Sequence, residues 1–146
     1  MPSLSIRETA LEALASVIGV GLPGATVERN AVVPQTVPSG GLIIVRDGDP
    51  GEPGVTLSPP RYEYAHQAVV EVITQPPGMD ARAVLLDQSL IALGQALAGT
   101  LRLGGAVDYL SWSAPVTDDV AVPYGDAIRG AIVRVTLHYT TSNPLL

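Results

Sequence analysis

The residues of this 146-residue chain whose types could do chemistry are two histidines, a set of strand carboxylates and two glycine-bearing loops. A metal centre built on His66 and His138 would need both imidazoles and a carboxylate on one face. The alternation of the surrounding residues points His66 toward a core and His138 away from it, which predicts one hydrogen-bonded core histidine and one surface histidine. Glu63 and Glu71 share a strand face, but their spacing in sequence puts them roughly 27 Å apart at the rise of a strand, too far to divide acid and base work between two carboxylates. The run Asp47-Gly48-Asp49-Pro50-Gly51-Glu52 opens like a calcium loop. That loop needs Asp or Asn at its fifth position and Gly at its sixth, where Gly51 and Glu52 stand, so a solvated acidic loop is the expectation. Gly19 to Gly24 matches G-x-G-x-x-G, yet it follows a helical pattern and precedes a strand, the reverse of a dinucleotide fingerprint, and reads as a helix cap with a turn. No G-x-S-x-G elbow occurs and there is no cysteine to act as nucleophile or thiolate ligand. The sequence therefore assigns no catalytic, cofactor or metal residue.

Composition narrows the class further. Fourteen acids face eight bases, all arginine, for a net charge of -6. Scattered arginines on an acidic chain do not make the clustered basic surface that phosphate neutralisation needs. No apolar run approaches the roughly 20 residues of a membrane span, and the amino-terminal stretch lacks the basic and apolar regions of a secretory signal, so the expectation is a soluble protein. A mean hydropathy of +0.32 with 15% charged residues is high for a lone soluble monomer and points to surface covered by self-association.

The elements that must position these residues follow from periodicity. Ser5-Ile6-Arg7-Glu8 fits a capping box, and Ile6, Ala10, Leu11, Leu14, Val17 and Ile18 form the apolar stripe of a helix ending at Gly19. Thr26 to Arg29 reads as a short strand, Asn30 to Gly41 as a Pro/Gly loop, and Leu42 to Val45 as a buried strand. Arg46 to Pro60 carries three glycines, four prolines and three acids and predicts a long mobile hairpin loop.

From Tyr62 the residues Tyr64, His66, Ala68, Val70 and Val72 face one way while Glu63, Gln67 and Glu71 face the other, a long half-buried strand. Pro76-Pro77-Gly78 ends it. Asp80 is placed to cap a helix whose stripe is Ala83, Leu86, Leu90, Leu93 and Leu97, with Gly99 as a left-handed cap. Val107 to Ser113 reads as a strand, Ala114 to Asp126 as a Pro- and Asp-rich connection, and Ala127 to Thr141 as a closing strand with Val133, Val135, Leu137 and Tyr139 inward.

The result is one domain over residues 1–146 of α+β class: an antiparallel or mixed β-sheet with two α-helices packed on one face and a long Gly/Pro-rich hairpin loop. Glu63, Gln67, Glu71 and Arg134 are left on the far side of the sheet, either as a wet face or packed against a neighbouring protomer.

This layout resembles the tail-terminator proteins of long-tailed bacteriophages, the minor tail protein U-like group that also occurs in phage-derived particles. The likeness is carried by the amino-terminal helix leading into a strand that ends in Arg29-Asn30, and by the Asp/Gly/Pro loop before a strand running from Tyr62 through Val-Val-Glu-Val. Arg82 near the start of the leucine-striped helix and the closing Tyr139-Thr140-Thr141 complete it. The resemblance implies a non-catalytic virion protein at the tail–head junction, a homo-hexameric ring on the finished tail tube that stops tube polymerisation and meets head-completion proteins. DNA would pass through its lumen without specific binding, and neither a cofactor nor a membrane is involved. It also implies tube or connector contacts from the two connections, through Asp47, Asp49, Glu52, Asp118 and Asp119, and ring salt bridges from arginines such as Arg29, Arg61 and Arg129. A head–tail connector is the alternative within the structural class, and a small α+β enzyme or ligand-binding protein the alternative outside it.

Overall fold

The computed structural model describes residues 3–33, 37–75, 79–120 and 128–146. In chain order it contains α1 (Ile6–Gly21), β1 (Thr26–Arg29), β2 (Leu42–Asp49), β3 (Gly54–Thr56), β4 (Arg61–Thr74), α2 (Met79–Ala98), a 3-10 turn (Leu103–Gly105), β5 (Tyr109–Trp112), β6 (Val116–Val120) and β7 (Ile128–Thr141). The strands form one mixed sheet in the order β1-β2-β4-β7-β5, with β3 added to β4 and β6 to β7. Only β1 and β2 run parallel among the described strands. The α+β class read from the sequence is the observed one.

The long strand read from Tyr62 is β4, and the alternation holds: Tyr64, His66, Ala68, Val70 and Val72 are buried while Glu63 and Gln67 are exposed. Its partner along the whole length is β7, from Tyr62 opposite Thr141 to Thr74 opposite Arg129. The inward residues of these two strands meet Ala10, Leu11, Leu14 and Ile18 of α1 and Leu86, Leu93 and Leu97 of α2 in one core. Both helices therefore lie on one face, each offering an apolar stripe to the same sheet. Gly21 allows their closest approach, since a Cβ there would meet the Cβ of Ala96 at 2.5 Å.

Several local expectations are corrected. The first helix passes through Gly19 and ends at Gly21, with Leu22 as its cap, because a glycine with helical neighbours need not stop a run whose stripe continues. Asp80 lies inside α2, which begins at Met79; Pro76, Pro77 and Gly78 lie outside the described residues. Ala83 is exposed, so the buried stripe starts at Leu86. Gly99 donates its N–H to Gln95 O at 3.0 Å and does not enter the left-handed region, which the chain reaches later, at Leu103, Gly104 and Gly105.

The largest correction concerns 46–60, which is not a long loop. β2 continues to Asp49 through a bulge at Gly48, whose φ of +65° places the missing Cβ where the carbonyl oxygen of Gln67 sits, so only glycine fits. After four residues the chain rejoins β4 as β3, with Val55 opposite Tyr62. The second connection behaves alike: β6, carrying Asp118 and Asp119, pairs with β7, Asp118 opposite Gly130 and Asp119 opposite Arg129. Residues 121–126 of that connection, and Ala127 of the closing strand, lie outside the described residues. β4 and β7 each recruit a two-part neighbour, because backbone donors beside a long strand are better satisfied by pairing than left to a loop.

The far side of the sheet is not uniformly wet. Leu42, Ile44 and Ile73 are covered there by Val37, with Ala31 and Val33 packed alongside.

Arg29, expected to reach a neighbouring protomer, is engaged within its own chain. Its Nη1 donates to Glu8 Oε1 at 2.6 Å and Glu12 Oε1 at 2.8 Å, and its Nη2 to Asp47 Oδ1 at 2.6 Å. Asn30 Nδ2 adds a bond to Asp47 Oδ1 at 3.0 Å. Ser5 caps α1 as expected, accepting from Glu8 N at 3.1 Å, while the Glu8 carboxylate turns to Arg29. One guanidinium thus fastens the start of α1 to β1 and to the bulge of β2. Burial works against the Asp47 charge, but hydrogen bonds from Arg29 and Asn30 outweigh it and hold its carboxyl below the usual carboxylate range.

Two predictions follow from this packing. Leu86→Ala should cost about 2–5 kcal/mol of unfolding free energy in urea titrations, whereas Val84→Ala, on the exposed side of α2, should stay within about 0.5 kcal/mol. Arg29→Gln should cost about 1–3 kcal/mol at neutral pH. Folded Asp47 holds its proton less tightly than the unfolded chain does. Its contribution is therefore complete above the unfolded-state value near ~3.9 and is lost as pH falls through the lower folded value. The variant should lose less stability than the native chain over that acid window, and equal losses would contradict the Arg29–Asp47 coupling.

Candidate functional site

The two histidines fall as their strand positions dictate. His66 is 1% exposed. Its Nε2 lies 2.5 Å from the backbone oxygen of Asp47 and its Nδ1 2.8 Å from the hydroxyl of Tyr139. A carbonyl can only accept, so Nε2 carries the hydrogen and Nδ1 accepts from the phenol. Burial pushes the Tyr139 phenol up to about 12, and Tyr64 packs against the same ring, 5.6 Å between centroids. The chain is closed and internally satisfied, a structural arrangement that ties the β2 bulge to β4 and β7. His138 lies on the far face, stacked on Tyr109 at 3.9 Å and 11°. Among the described residues no three His, Asp or Glu side chains gather into a metal site, and no helix is long and apolar enough to cross a membrane.

The carboxylates singled out in the sequence do not converge. Glu71 is held by Arg46, at 3.0 and 3.2 Å, and Asp47 by Arg29. Asp49 accepts from Gly51 N at 2.8 Å, stabilising its own turn. Glu52, Glu63, Gln67 and Arg134 are exposed; the side chains of Asp118 and Asp119 lie outside the described residues. What the fold brings together on the far face is apolar as well as polar. Val33, Glu71, Ile73, Val116, Gly130 and Ile132 line a hollow of about 300 Å³, with Val116 and Ile132 exposed. Polarity counted along the strand missed this hollow because two of its apolar members, Val116 of β6 and Val33, come from stretches read as irregular.

Two further features sit at the sheet margins. On the β5–β6 side a groove of about 280 Å³ runs beneath α2. Leu93, Leu97 and Val133 are its buried floor, and Trp112 and Pro115 are exposed at its rim. Trp112 is 36% exposed. Gly94 also lines this groove, and nothing lies within 4 Å of where its Cβ would be. Glycine in a helix interior costs about 0.8–1.0 kcal/mol relative to alanine, and no contact among the described residues requires it here. On the opposite margin, Val55 of β3 and Leu57 of the turn between β3 and β4 are 52% and 77% exposed. The sequence marked Trp112 as the lone tryptophan but gave no sign that it would line a groove. The register of β5 on β7, Trp112 opposite Val135, is what turns it toward the helix side.

The described residues thus offer surfaces for contact rather than a converging set of reactive groups. Comparison with protein families and with curated proteins gives no match. Among solved structures, the chain is similar to one described as belonging to the virion of a native gene transfer agent particle, at 18% identity and a TM-score of 0.46, covering 90% of this chain and 92% of that chain. The likeness is one of general arrangement, and no role is read from it.

Proposed function

We propose that this chain is a structural virion protein of the tail-terminator kind: a ring of six copies that caps the tail tube, stops its polymerisation and presents a surface to head-completion proteins. The reading rests on the sequence layout together with one observation. The helix-bearing face of the sheet is sealed by its own core, while the far face and both margins keep apolar groups in solvent, at Val55, Leu57, Trp112, Val116 and Ile132. A chain with so few charged residues and such margins is built to be covered by other chains. The net charge of -6 suits a lumen through which DNA slides: six copies would carry about -36, and like-charge repulsion would keep the duplex off the wall.

The test is tube length. When the purified chain is added to the polymerising tail tube protein of the same particle, electron micrographs should show tubes that stop growing and carry a ring at one end. Tubes of unchanged length with bare ends would contradict the proposal.

A further inference from the structure

We propose that copies of this chain join head to tail, the β3–β4 turn of one copy seating Leu57 in the Trp112 groove of the next. The inference deepens the ring reading and relies on it for closure into a ring.

The two surfaces cannot satisfy each other within one molecule. β3 lies on the outer side of β4, and β5 and β6 lie on the outer side of β7. By register, Val55 is level with the Thr141 end of β7, whereas Trp112 faces Val135. That separation is about 20 Å along the strands and about 14 Å across them. A contact between different patches on opposite margins is heterologous, and repeating it leads to a ring or a filament rather than a two-fold dimer.

The partner is identified by chemistry. Among the described residues the groove lining contains no charged side chain, and the segment from Val55 to Pro60 has none. On an acidic chain, an uncharged apolar contact is one that two copies can make without bringing like charges together. Leu57 is a large aliphatic residue, 77% exposed at the end of a paired hairpin, so little conformational freedom is lost when it docks. Trp112 at the rim is the residue type that most often dominates such contacts. Gly94 supplies an independent sign: a helix position kept without a side chain, lining an apolar groove, with open space around its Cβ site. Within the single chain that space goes unused; between copies it admits the leucine.

The experiment uses two variants and their mixture. Leu57→Asp removes the inserted group. Gly94→Leu fills the groove with a residue better suited to a helix than glycine, and Gly94→Ala serves as the control that leaves room. Sedimentation velocity reads mass, and emission of Trp112, the chain's only tryptophan, reads burial at the groove. The native chain should assemble with concentration and shift its emission to the blue, and Gly94→Ala should do the same. Leu57→Asp and Gly94→Leu should each stay monomeric with native circular dichroism, their association weakened at least tenfold. Mixed in equal amounts they should form a one-to-one pair and nothing larger, because only one working contact remains, with the blue shift arising in the Leu57→Asp copy. Assembly by either single variant as strong as the native, or a mixture that stays monomeric, would overturn the docking while leaving the ring reading in place. A native chain that stays monomeric at every concentration and on tube ends would overturn both.

Discussion

The antiparallel ladder between β4 and β7 is the constraint on which every other element depends. Its two strands run side by side from Tyr62 and Thr141 to Thr74 and Arg129, and each has a second neighbour on its outer side: β2 and β3 along β4, β5 and β6 along β7. Their inward side chains form the floor on which α1 and α2 rest. Because side chains alternate along a strand, the same ladder that buries Val70 and Leu137 holds Glu63, Gln67 and Arg134 outward. A slip of one residue would reverse both faces at once, so the buried face fixes which residues any partner can meet.

Much of this was legible in the sequence because period-two and helical patterns are local. The alternation of β4 and β7, the Ser5 cap, the four residues of β1 and the leucines of α2 are each set by neighbours a few positions away. The errors fall where pairing is decided at a distance. Segment 46–60 has the composition of a loop, yet Gly48 permits a bulge that keeps β2 in register with β4, and the nearby strand supplies partners for β3. The same holds for β6 on β7. Arg29 is the clearest case: its partners Glu8, Glu12 and Asp47 come from α1 and β2, and nothing in local spacing joins them.

The polar interactions divide into those that close the molecule on itself and those left open. Arg29 with its three carboxylates, Arg46 with Glu71, and His66 between Asp47 and Tyr139 are satisfied internally. They hold the helix layer and the bulged strand in place against the sheet. The open features are different in kind. The β3–β4 turn and the Trp112 groove are apolar and lie at the margins, and the Val116–Ile132 hollow on the far face is apolar apart from Glu71. The paired charges thus fasten elements around an apolar core, while hydrophobic groups are the ones left open at the margins. In the proposed docking, that separation would let an acidic chain approach copies of itself without bringing its carboxylates together.

Amide hydrogen exchange, compared between dilute and assembled protein, tests most directly the claim that copies meet through the sheet margins, including the groove beneath α2, and not through α1. The account predicts slowed exchange on assembly at residues 54–60, in β5 and β6, whose outer backbone groups have no strand beside them among the described residues, and in the part of α2 around Gly94 that lines the groove, with α1 unchanged. Protection gained along α1, with the margins exchanging as fast as before, would contradict it.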